Sequence, residues 1–152
     1  MCYCSVSSLD RLVNSMRLFI SISGRGFSVN GAYTRNHSLT AAARRWKLSF
    51  HKQMLSYQTD CSLFNSLFDP FKHCIRVTIV NHMSNLFTRD GRISHASNDT
   101  DNLNKLTIDG VFAFLPALDD CAITHLTSSK VLSKDESIDI ELELIEFVKP
   151  SK

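Results

Sequence analysis

The 152-residue chain has little of what breaks or replaces a packed fold: only five glycines and three prolines. That scarcity excludes collagen-like and low-complexity chains, and a 43% hydrophobic share excludes global disorder. No stretch approaches the roughly 18 apolar residues of a membrane helix. The first twenty residues lack a basic start followed by an apolar run long enough for export. The chain therefore reads as cytoplasmic, with no membrane partner. Its five cysteines (Cys2, Cys4, Cys61, Cys74, Cys121) include no Cys-x-x-Cys pair, which argues against zinc ribbons and fingers. They read as reduced, mostly small hydrophobes.

Net charge is near zero, yet its distribution is uneven. Residues 1–95 hold 12 basic and 4 acidic residues, whereas residues 96–152 hold 5 and 11. A basic front and an acidic back suit a protein that grips a polyanion with one region and gathers carboxylates in the other.

Residues 1–16 carry little pattern and read as a flexible N-terminal extension, with Met16 an alternative start; the domain spans residues 17–149. Leu18-Phe19-Ile20-Ser21-Ile22-Ser23 reads as a strand, followed by the turn-rich Gly24 to Gly31. Gly24-Arg25-Gly26 by itself is a turn first and a phosphate cradle second. Thr40 is placed to cap a helix running to about Leu55, with Ala43, Trp46, Phe50 and Met54 as its buried stripe. Arg44, Arg45, Lys47 and Lys52 fall off that stripe, as an ordinary wet face or as contacts for nucleic-acid phosphates. A loop with Asp69-Pro70 leads to a second strand, Cys74 to Val80. A second helix over Leu103 to Leu115 is expected to be capped by Asn102 or Asp101. Strands over Ala122–Val131 and Ile138–Val148 complete an α/β (α+β) single domain, ordered β-α-β-α-β-β around a mixed sheet. Strict alternation makes Asp139, Glu141 and Glu143 a solvated strand face.

The informative segment is Asn98-Asp-Thr-Asp-Asn-Leu-Asn-Lys-Leu-Thr-Ile-Asp-Gly110, then Leu118-Asp-Asp-Cys-Ala-Ile123: five aspartates, one lysine and no glutamate. Asp99 and Asp101, two apart in extended chain, are expected on one side. Lys105 and Asp109 share a helix face, with Asp101 one turn earlier. A short return could bring Asp119-Asp120 beside them. Clustered aspartates repel unless water or a cation shields them, and three or four carboxylate oxygens suit Mg²⁺. A lysine among them can neutralise charge on a phosphoryl oxygen. An EF-hand fails, because its invariant glycine position is Asn104 and its twelfth position Gly110. An Asp-x-Asp phosphatase wants the pair directly after an apolar strand, which His95-Ala96-Ser97-Asn98 does not supply. The plainer alternative stays open: Asp101 caps a helix, Asp109 pairs with Lys105, and Asp119-Asp120 forms a turn.

The same residues resemble the signature of RusA-type Holliday-junction resolvases, Asp-x-Asp-Asn-x-x-Lys-x-x-x-Asp, a helix, then Asp-Asp-x-x-Ile. Ser28-Val29-Asn30-Gly31-Ala32-Tyr33 is similar to that family's Ser-x-Asn-x-x-Tyr loop, and Thr40 to Trp46 to its first helix. The similarity runs from about Arg17 to Phe147. Two departures stand out: Gly26-Phe27 replaces the family's Pro-Pro, and the segment Ser84 to Asn98 is longer, without arginines just before Asp99.

The resemblance implies a dimeric, Mg²⁺-dependent endonuclease resolving four-way DNA junctions in recombination and repair. It implies that Asp99, Asp101 and Asp120 bind metal, that Lys105 assists at the scissile phosphate, and that Asn102, Asp109 and Asp119 support them. Asn30, Tyr33, Arg25, Arg35, Arg44, Arg45, Lys47 and Lys130 would face DNA. The alternatives are a non-catalytic protein that binds branched DNA, or a nuclease for other branched or flap DNA.

Overall fold

The computed structural model describes residues 17–95 and 99–147. The expected N-terminal extension, and the end of the domain beyond Phe147, lie outside the described residues. Four strands and three helices follow in the order β1 (Arg17–Ser23), α1 (Ala41–Met54), α2 (Gln58–Leu67), β2 (His73–Met83), α3 (Thr100–Phe112), β3 (Ile123–Leu132) and β4 (Ser137–Glu146). The mixed sheet and the α/β class agree with the sequence reading, but helix α2 is an addition to the expected order. Only Cys61 and Phe64 of α2 are buried, and so short a stripe in a polar segment leaves little periodic signal. The other elements shift by a few residues from their expected bounds.

Sheet order is β1-β4-β2-β3, with β2 and β3 parallel and the other pairs antiparallel. A parallel pair needs a long crossover, and the segment carrying α3 supplies it. In-register rows of apolar side chains cross three strands: Leu18, Leu142 and Val77 form one, and Ile20, Ile140 and Ile79 the next. All six are buried. Phe50 and Met54 of α1, Cys61 and Phe64 of α2, and Val111 of α3 close over this face as one core.

The opposite face carries the alternate residues. Asp139, Glu141 and Glu143 do line it, but they are partnered rather than simply solvated. Arg17 pairs with Glu141 at 3.2 Å and with Glu143 at 2.8 Å, Arg76 reaches Glu143 at 2.8 Å, and His82 meets Asp139 at 2.8 Å. Half-exposed pairs of this kind each contribute about 0–1 kcal/mol, so their main effect is to fix register.

The Ser21–Ser23 end of the outer edge of β1 is occupied by side chains. Tyr57 Oη accepts from the Ser21 N–H and donates to its carbonyl, and the Gln53 carboxamide does the same for Ser23. Beyond β3, no described residue adds a further strand.

Two glycines matter to the packing. A Cβ on Gly110 would lie 2.7 Å from the Phe50 ring, so its absence lets α3 approach α1. A Cβ on Gly26 would lie 2.6 Å from the Asn81 side-chain oxygen, so the loop after β1 lies directly on β2.

Candidate metal and nucleic-acid site

Helix α3 places most of the candidate residues. Asp99 holds an extended backbone (φ −75°, ψ 145°) and is the N-cap, in place of Asn102 or Asp101. Its side chain makes no capping bond; instead Asn102 Nδ2 donates to Asp99 Oδ2 at 3.5 Å. The helix therefore starts at Thr100, and Asp101 lies in its first turn, where a negative charge complements the helix dipole. This corrects the expectation that Asp99 and Asp101 sit in extended chain and point to one side. Within a helix, residues two apart face different directions.

Helical spacing puts Asp101, Asn104, Lys105, Ile108 and Asp109 on one flank of α3. With Asp120, Ile123 and Leu126 they line an open cleft of about 380 Å³ between α3 and β3. Lys105 Nζ stands 3.8 Å from Asp109 Oδ2, the expected one-turn pair. Asp120 reaches the cleft because the chain makes a single 3₁₀ turn, Asp120–Ala122, before entering β3. Asp119 caps that turn by accepting the Cys121 N–H at 3.0 Å. The same bond holds the Asp119 carboxyl below its ordinary range, and Asp119 in turn pushes the Cys121 thiol up.

Asn104, not anticipated as a site residue, anchors the cleft. It is 4% exposed, and its side-chain oxygen accepts from Ser128 Oγ of β3 at 2.8 Å, joining the two walls. Its position three residues after Asp101 was the available signal. Thr107, also buried, returns its hydroxyl to the Leu103 carbonyl. Thus Asp101, Lys105, Asp109 and Asp120 share the cleft, whereas Asp99, Asn102 and Asp119 do not line it. Among the described residues no three His, Cys, Asp or Glu side chains gather closely enough to hold a metal by themselves.

The upstream candidates surround α1. Ser28 Oγ accepts the Asn30 N–H, setting a 3₁₀ turn over Val29–Gly31. Thr40 caps α1 by accepting the Ala43 N–H and also donates to the Gly31 carbonyl. Ala32 is fully buried against Ala43 and Leu106, so this loop packs on both α1 and α3. Tyr33 pairs with Leu39 and stays 42% exposed. The Arg25 carbonyl accepts the Trp46 Nε1–H at 2.9 Å. Arg35, Arg44 and Arg45 are exposed, and Arg25 and Lys47 are half-buried. Lys130 lies on β3 in register with Asn81.

No helix among the described residues is long and apolar enough to cross a membrane. No family model matches the chain, and a search of curated proteins gives no match.

Proposed function

We propose that the chain is a Mg²⁺-dependent endodeoxyribonuclease that nicks branched DNA, with the four-way junction as its substrate. One observation carries this reading: Asp101 from the start of α3 and Asp120 from the turn before β3 line one open cleft together with a lysine. The donor set fits the metal. Mg²⁺ usually takes one or two protein carboxylates, keeps several waters and completes its shell with substrate phosphate. Asp101 and Asp120 would supply those carboxylates, with Asp99 close by in sequence at the cap. Once held there, the ion would supply a polarised phosphate and an activated water.

The chain's own groups then have defined tasks. Lys105 lines the cleft 3.8 Å from Asp109 and can exchange that partner for a phosphoryl oxygen, where it stabilises charge that grows during displacement. Asn104 fixes the distance between α3 and β3 through Ser128 and so holds the two carboxylates to their spacing. Asp119 shapes the turn that carries Asp120. Arg44, Arg45 and Lys47 grip backbone phosphates without reading sequence, which gives affinity that falls steeply with salt. A junction has two-fold symmetry and is resolved by two matched nicks, so a homodimer with two clefts is part of the proposal.

The test is a nicking assay on a synthetic four-way junction with Mg²⁺, comparing the wild type with Asp101→Asn and Asp120→Asn. Metal-dependent nicking by the wild type, lost in both variants, is the expected result. Competition with flap and duplex DNA tests the preference for junctions. The sparse clustering of carboxylates favours a second reading, a branched-DNA binder without catalysis; tight binding with no nicking at any Mg²⁺ concentration would establish it.

A further inference from the structure

A second concavity lies between α1 and α3, with a volume of about 360 Å³. Trp46, Lys47 and His51 form one wall, Asp109, Gly110 and Ala113 the other, and the buried Phe50 lies at its base. Its size falls at the small end of ligand pockets, about 300–1,000 Å³. The lining is mostly apolar and aromatic, which suits a flat ring system and not a phosphate or sugar.

Two observations select the source of that ring. Helix α1 carries Arg44, Arg45, Lys47 and Lys52 and no acidic residue, so it draws a polyanion to the rim of the groove. Asp109 lines both this groove and the acidic cleft, so an occupant of one is adjacent to an occupant of the other. We propose that the groove receives an unstacked nucleobase from the DNA strand whose backbone is presented to the cleft. This inference rests on the nuclease reading above and names how that site holds its substrate.

The groove is prepared for the task. Bonding of Trp46 Nε1–H to the Arg25 carbonyl and packing of its ring 5.0 Å from that of Phe50 fix the indole before DNA arrives. Little side-chain freedom is then lost on stacking. A base is cheapest to extrude where pairing is already interrupted, as at the exchange point of a junction. The Asp109 carboxylate can accept a hydrogen bond from an exocyclic amino group. Adenine, cytosine and guanine carry one and thymine does not, so thymine is disfavoured.

Trp46 is the sole tryptophan, so its emission reports on this groove. The full chain is titrated with four-way junctions that carry adenine, thymine or an abasic site at the exchange point, with Ca²⁺ in place of Mg²⁺. Adenine junctions are expected to quench Trp46. Abasic junctions should remove most of that quenching and bind roughly tenfold more weakly, the loss of one base–aromatic stack. Thymine should fall between them. Ala113→Phe, which crowds the groove from an exposed position on the turn after α3, should abolish the difference between adenine and abasic junctions with an unchanged circular dichroism spectrum. Should that variant not fold, the wild-type comparison decides alone. Equal quenching by adenine and abasic junctions overturns the inference. Parallel nicking with Mg²⁺ separates the two claims: nicking without base-dependent quenching sinks the groove alone, and absence of both binding and nicking sinks both.

Discussion

Gly110→Ala sets two opposed effects against each other where α3 crosses α1. Alanine is the better helix former by about 0.8–1.0 kcal/mol, so an isolated helix would gain from the change. In the folded chain the new methyl would meet Phe50 at 2.7 and 2.9 Å, well inside van der Waals contact. Phe50 is 2% exposed and packs near Trp46, so turning its ring away from the new methyl would give up that packing. Overpacking of this kind costs about 1–3 kcal/mol, which outweighs the propensity gain. The expected net loss is therefore about 1 kcal/mol, or a fall of roughly 2–4 °C in Tm for a domain of this size. Urea unfolding followed by circular dichroism measures it. The mechanism names its own rescue: Phe50→Leu removes the ring atoms in question, so the double variant should show a favourable coupling of about 1 kcal/mol. A Gly110→Ala chain at least as stable as its parent would refute the close approach of the two helices.

Three further outcomes are expected. Lys105→Ala should lower junction nicking by about 10²–10³-fold at saturating DNA, in the range of lost transition-state donors, and a loss below tenfold would remove Lys105 from the chemistry. Asn81 is 1% exposed, and its carboxamide has no hydrogen-bond partner among the described residues. Asn81→Leu should therefore leave stability unchanged or raise it by about 1 kcal/mol, and a clear drop in urea midpoint would show that the amide is in fact satisfied. The Asp119 carboxyl is held low by the Cys121 N–H. Its contribution to stability is thus present above the ordinary carboxylate value of 3.8 and disappears as pH falls through the lowered folded value. A carbon-13 pH titration should place its midpoint below 3.8, and a midpoint at or above that value contradicts the capped turn.

Much of the fold was legible because its strands alternate strictly. Leu18, Ile20 and Ile22, and Ile138 through Leu144, announce one buried face each, and the apolar spacing of Ala43, Phe50 and Met54 announces α1. Helix α2 was not legible, since two buried residues cannot establish a period. At the site, the one-turn spacing of Lys105 and Asp109 follows from helix geometry alone. The approach of Asp120 to Asp101 depends on a tertiary return that the sequence only permits. Reading Asp99 and Asp101 as an extended pair failed because the backbone turns helical one residue after Asp99, a boundary that cap-forming residues at four successive positions, 99 to 102, leave ambiguous. Asn104 escaped notice because a buried asparagine earns its role from Ser128, a partner 24 positions away.

The side chains of Gln53 and Tyr57 along β1 bear on how copies of this molecule can combine. An open sheet has two borders at which another chain can add hydrogen bonds, and here the Ser21–Ser23 end of one border is already satisfied from within. Strand-by-strand association is therefore favoured at the β3 border. Two copies joined there about a two-fold axis would consume the β3 border on each, leaving only the partly capped β1 border for a third. The one amide and one hydroxyl that finish that end of β1 would thereby bias assembly through the sheet toward pairs.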